Sequence, residues 1–121
     1  MITGRVENRQ ALVPIIYRLP GQPDLAIEHV VDTGFTGELT LSPAAVSAMG
    51  LMFAYDEDIK LANDNREQVA VHTATIIWQG QERDVRVFAT GRRPLFGTAL
   101  LDSKELVIQF ADNGLVTIDD F

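Results

Sequence analysis

Leu25-Ala26-Ile27-Glu28-His29-Val30-Val31-Asp32-Thr33-Gly34 is an apolar extended run that delivers a carboxylate to a tight turn at a strand's end. Branched and aliphatic residues dominate positions 25–31, a composition that suits a strand with at least one buried face. Glycine directly after Asp-Thr lets the backbone take a positive φ or approach another group closely, so backbone N–H groups can hold the Asp32 carboxylate. The tripeptide by itself is common: at ordinary residue frequencies about one chain of this length in twenty carries Asp-Ser/Thr-Gly by chance. Its meaning depends on what surrounds it.

Short β-rich runs broken by turn residues extend on both sides, the pattern of an all-β barrel or sandwich rather than alternating β/α units. About eight strands are predicted. Residues 2–6 and 12–19 form a first antiparallel pair, Gly21-Gln22-Pro23-Asp24 is a turn, and residues 38–41 are a brief return strand. One helix follows, with Ser42 as N-cap, Pro43 at its first position, Gly50 as the left-handed residue at its end and Leu51 folding back on Val46. Residues 59–61 and 69–78 read as the arms of a long hairpin turning at Asn63-Asp64-Asn65-Arg66. After a reversal at Gln79-Gly80-Gln81, residues 82–88 alternate, with Val85 and Val87 on one face and charges on the other. Leu95-Phe96-Gly97 precedes a helical turn over 98–102 in which Thr98 is the expected N-cap. A closing hairpin joins residues 106–110 to 115–118 through Asp112-Asn113-Gly114, whose Asn-Gly pair signals a two-residue turn.

The bulk numbers narrow the function. A chain of 121 residues with 46% hydrophobic content suits one domain, spanning 1–121, that buries a core without staples. With no cysteine there are no disulfides, thiolate metal sites or cysteine nucleophile, and a cytoplasmic location is the default expectation. The first residues lack the apolar core of a signal peptide, and no apolar run approaches the roughly 20 residues that span a bilayer, so no membrane partner is expected. Ten Lys+Arg against seventeen Asp+Glu give a net charge of −7, which disfavours nucleic acid as a partner.

The remaining polar features have plain readings. His29 and His72 lack the spacing of a zinc site and read as half-buried strand residues; no metal and no cofactor is expected. Trp78 reads as core, Arg92-Arg93 as a solvated loop, and Asp56-Glu57-Asp58 as an exposed acidic turn without the alternating ligands of a calcium loop.

The order of apolar strand, Asp-Thr-Gly, short strand, helix, long hairpin, then two apolar residues and glycine before a helical turn resembles the retroviral-type (retropepsin-like) aspartic proteases. Val30-Val31-Asp32-Thr33-Gly34 and Leu95-Phe96-Gly97-Thr98-Ala99-Leu100-Leu101 carry the resemblance, about sixty residues apart. Residues 32–41 look most like the small microbial members called clan AA aspartic proteases. The resemblance covers most of the chain. It implies an all-β closed barrel with one or two short helices, supplying half an active site and forming a two-fold homodimer. Asp32, Thr33 and Gly34 take the catalytic positions, and Leu95, Phe96 and Gly97 support the catalytic loop. Phe35 and the flap residues Asn63, Asp64, Asn65 and Arg66 take substrate-binding positions, against a peptide or unfolded protein.

By the same resemblance, two Asp32 carboxylates would meet on the axis and share a proton, a behaviour for which aspartic proteases are the standard example. One would activate a water that attacks the peptide carbonyl while the other hydrogen-bonds the carbonyl oxygen, with no acyl-enzyme. Thr33 would hydrogen-bond across the axis and the terminal strands, including residues 115–118, would form the interface. Two positions depart from the family. Phe35 stands where a small Ala, Ser or Thr is usual and cannot donate to the outer carboxylate oxygen, so either Thr36 substitutes or Asp32 is less supported. The flap tip lacks the usual glycine, which predicts a stiffer turn. These departures motivate a second reading, a non-catalytic peptide- or protein-binding module on the same barrel, and a third, a monomer whose half-site never assembles.

Overall fold

The computed structural model describes residues 1–60 and 63–121. Along the chain run β1 (Ile2–Glu7), β2 (Gln10–Arg18), β3 (Leu25–Val31), β4 (Leu39–Leu41), α1 (Pro43–Met49), β5 (Met52–Lys60), β6 (Arg66–Trp78), β7 (Gln81–Ala89), β8 (Leu95–Phe96), a 3₁₀ turn (Thr98–Leu101), β9 (Lys104–Ile108) and β10 (Leu115–Asp120). The strands form one sheet in the order β5-β6-β7-β4-β8-β3-β2-β1-β10-β9, and β6 pairs again with β2, bending the sheet back on itself. The fold is all-β, with α1 and the 3₁₀ turn as its short helices.

Alternation builds the core. On β2, Val13, Ile15 and Tyr17 are buried while Pro14, Ile16 and Arg18 are exposed, and the buried three join Val85, Val87, Val116 and Ile118 in one cluster. β2 also solves a local problem: it pairs with β1 over residues 10–12 and with β6 over 16–18. Pro14, which has no N–H to give, falls in the gap between the two partners.

The helix forms as its sequence dictates. The Ser42 hydroxyl accepts from the Ala45 N–H at 3.2 Å, and Gly50 takes φ 67°. The Leu51 N–H reaches back to the Val46 carbonyl at 3.2 Å. Val85 and Val87 are buried on β7, and Trp78 is buried against Phe96 with ring centroids 5.8 Å apart. Arg92 and Arg93 are exposed.

Turns account for most differences from the sequence expectations. The reversal after β2 is Leu19-Pro20-Gly21-Gln22, closed by Gln22 N–H to the Leu19 carbonyl with Gly21 at φ 70°, rather than 21–24; Pro20 presets the turn and Gly21 supplies its positive φ. The two-residue hairpin turns are Asn8-Arg9 and Gln79-Gly80, with positive φ at both residues. At Asn113-Gly114 only Asn113 is left-handed and the loop spans 109–114, because the turn's backbone is drawn onto β1: Asn113 N–H donates to the Val6 carbonyl and Val6 N–H to the Gly114 carbonyl. Asp56-Glu57-Asp58 lies within strand β5, where pairing with residues 68–70 overrides the weak β propensity of acids. Of the predicted ascending arm 59–61, Leu61 lies outside the described residues.

One expectation about assembly is corrected as well. Strand β10 is bonded on one side to β1 and on the other to β9, so residues 115–118 have no free edge to offer a second chain. The ends of the sheet are β5 and β9.

Candidate active site

The carboxylate of Asp32 is held at the end of a paired strand. β3 runs parallel to β8, with Val30 opposite Leu95 and Val31 opposite Phe96. Asp32 N–H then donates to the Phe96 carbonyl at 2.9 Å, which fixes the backbone where the strand ends. Leu95-Phe96-Gly97 thus runs beside the Asp32 turn. Gly34 N–H donates to Asp32 Oδ1 at 2.9 Å, and a Cβ on Gly34 would lie 3.2 Å from that oxygen. What the glycine contributes is room beside the carboxylate rather than a positive φ. Asp32 is half-buried and Thr33 is exposed.

Gly97 meets a similar demand. A Cβ there would lie 2.1 Å from the Gly37 carbonyl oxygen and 2.8 Å from that of Phe35. With no side chain in the way, Gly97 N–H donates to the Glu38 carbonyl at 2.8 Å and Thr98 N–H to the Phe35 carbonyl at 2.9 Å. Thr98 does not cap the 3₁₀ turn. Gly97 occupies that position, and the Thr98 hydroxyl instead donates to the Phe35 carbonyl at 3.3 Å.

Phe35 is half-buried and packs edge-on against Phe88, centroids 5.5 Å apart at 81°. Phe88 lies opposite Val71, itself fully buried. Thus the ring extends an apolar surface that begins beside the acid. The sequence offers little sign of Phe88's role, because it lies on the face of β7 that also carries Asp84 and Arg86.

A cavity of about 440 Å³ opens at Asp32, lined by Thr33, Val31, Ala11, Leu95, Ile108 and Phe110 among others. Ile108 and Phe110 escaped the sequence reading, since nothing local marks a C-terminal strand as a neighbour of residue 32. Asn63, Asp64, Asn65 and Arg66 do not line this cavity. They lie at the exposed turn of the β5–β6 hairpin, where Asp64 is left-handed (φ 67°) and Asn65 N–H donates to Asn63 Oδ1 at 3.1 Å. The last part of that hairpin, residues 56–60 against 66–70, pairs with no third strand among the described residues. A larger hollow of about 570 Å³ lies elsewhere, between Arg18, Met52 and Glu82, and does not include Asp32.

His29, three residues before Asp32, is fully buried rather than half-buried. Its Nδ1 lies 3.0 Å from the Ile27 carbonyl, which can only accept, so Nδ1 carries the proton and Nε2 accepts from the Tyr17 hydroxyl at 2.8 Å. Burial pushes this imidazole down to about 4, and pushes the Tyr17 phenol well up. His72 is half-buried, and its Nδ1 has no partner among the described residues. Among the described residues, no three His, Asp or Glu side chains converge as metal ligands and no helix is long and apolar enough to cross a membrane.

Among solved structures, the chain is similar to the crystal structure of a retropepsin-like aspartic protease from Rickettsia conorii. The match covers 99% of this chain and 89% of that chain, with a TM-score of 0.61 and 16% sequence identity. The chain has the retropepsin-like fold. No protein-family model and no curated protein matches the sequence.

Proposed function

We propose that this chain is one half of an aspartic endopeptidase that cuts extended or unfolded polypeptide as a homodimer. The observation that carries the reading is the Asp32 carboxylate, held by the Gly34 N–H in a turn braced by β8, within the retropepsin-like fold. Pairings running β2-β3-β8-β4-β7-β6 and back to β2 support the closed barrel that goes with it. Asp32 and the partner's Asp32 share one proton. The ionised member takes a proton from water, the water attacks the peptide carbonyl, and the protonated member donates to the carbonyl oxygen. The diol then collapses as a proton passes to the departing amine. Thr33, exposed beside Asp32, hydrogen-bonds across the axis. The β5–β6 hairpin is the flap, offering its backbone to an extended substrate.

Replacing Asp32 by Asn is expected to leave folding and dimerisation intact and to lower cleavage of a denatured protein by about a hundred- to ten-thousand-fold. Equal turnover by the two proteins would end the peptidase reading. A second reading, a peptide-binding module without turnover, has its own support in β5. This strand ends the sheet and exposes Met52, Phe53 and Tyr55, an edge to which an extended peptide can add. Binding without cleavage across a range of pH would favour it.

A further inference from the structure

The residue directly behind Asp32-Thr33-Gly34 is a phenylalanine whose ring occupies space that two glycines leave open. A Cβ built on Gly37 would lie 2.6 Å from Phe35 Cζ and 2.8 Å from Cε1, and one on Gly97 would lie 2.5 Å from Phe35 Cδ2. Neither glycine takes a positive φ, so what they provide is room. Phe88 packs edge-on against the ring at 5.5 Å, close to Gly37. The backbone of Phe35 is held at both ends: its N–H donates to the Asp32 carbonyl at 3.1 Å, and its carbonyl accepts from Thr98 N–H at 2.9 Å.

Resting on the aspartic peptidase reading, we infer that Phe35 is a positioning residue for Asp32, a ring locked in a socket made by Gly37, Gly97 and Phe88 that sets the catalytic turn against β8. A side chain able to donate a hydrogen bond to the carboxylate is absent at this position, and in the structure the only hydrogen bond to the Asp32 carboxylate among the described residues comes from Gly34 N–H. Packing supplies the order that a hydroxyl cannot. The Phe35 backbone links the Asp32 carbonyl to the start of the 3₁₀ turn, so a shift of the ring in its socket is passed to the acid through one turn of backbone. An acid displaced by about 1 Å loses on the order of a hundred-fold in rate while substrate contacts elsewhere persist.

The socket gives a test with a sign. Gly37→Ala alone should lower the thermal midpoint, because its Cβ meets the ring; in a Phe35→Ala background the same change should cost much less, the nearest contact outside residue 35 being Phe88 Cε1 at 3.2 Å. Gly97→Ala is the control, since its Cβ also meets the Gly37 and Phe35 carbonyl oxygens and so stays harmful in both backgrounds. Amide exchange over residues 32–38 should quicken at least about ten-fold in Phe35→Ala with β2 and β3 unchanged, a local opening in the sense that exchange reports. In the same variant kcat should fall about a hundred-fold with KM held within about two-fold, and Phe35→Leu should restore most of it. Additive effects of Gly37→Ala and Phe35→Ala, or unchanged exchange over 32–38, would overturn the inference whether or not the protein cleaves peptide. Faster exchange in Phe35→Ala and non-additive coupling, together with a wild-type protein that turns over no faster than Asp32→Asn, would leave the socket standing and remove the peptidase reading instead.

Discussion

Glycines in this chain serve two separate physical needs, and single substitutions tell them apart. Gly50 ends α1 at φ 67° with nothing within 4 Å of where a Cβ would stand, so its replacement by Ala meets a conformational cost only, about 1 kcal/mol. Asn, which tolerates the left-handed region, should recover much of that. Gly97 has no positive φ but crowded surroundings, and Ala there acts by collision with the Gly37 and Phe35 carbonyl oxygens. At the other end of the helix, Ser42→Ala removes the bond to Ala45 N–H, for an expected loss of about 1 kcal/mol and a midpoint about 4 °C lower by thermal denaturation. The turn at Asp32-Thr33-Gly34 was legible from residues 25–34; the packing around Phe35 was not, because Gly37, Phe88 and Gly97 converge only after the strands pair.

Strand β3 carries the acid at its end and a titratable group in its middle. His29 is buried neutral, its proton affinity pushed down to about 4 from an ordinary 6.5. The unfolded chain therefore takes up the proton first as pH falls. Stability owed to the neutral imidazole is intact above pH 6.5, declines between 6.5 and 4, and levels off below 4, a change of about 3 kcal/mol. In urea denaturation, the advantage of wild type over His29→Gln should shrink by about that amount between pH 7 and 4; a constant difference would contradict the assignment. Tyr17→Phe should cost about 1–3 kcal/mol at pH 7, because it leaves Nε2 buried without its donor. Any activity profile measured below pH 6.5 carries this loss of β3 stability.

At the scale of the whole molecule, the proposed peptidase needs a second copy of the chain. The cavity at Asp32 is continued by Ile108 and Phe110, and Phe110 is 69% exposed in the single chain. With β10 bonded on both sides, β9 and the residues after it form the open side next to the acid. Phe110→Glu should leave the stability of the separate chain within about 0.5 kcal/mol, as surface changes do, yet halve the mass seen by light scattering and abolish cleavage. A dimer that survives this change would move the interface elsewhere. For the wild type, turnover per chain should rise with protein concentration until the dimer saturates.

Sequence alone determined the strand-rich class, the helix from Ser42 to Gly50, the placement of an acid at the end of β3 and its companion segment Leu95-Phe96-Gly97. Each is written in a short window, through alternation, capping chemistry or a turn residue. Tertiary structure decided what those windows could not hold: that Asn113-Gly114 is pulled onto Val6 rather than closing a two-residue turn, that acidic residues 56–58 are strand because residues 68–70 pair with them, and that β10 lies inside the sheet. These depend on backbone partners distant in sequence, whose hydrogen bonds outweigh local preference once the sheet has formed.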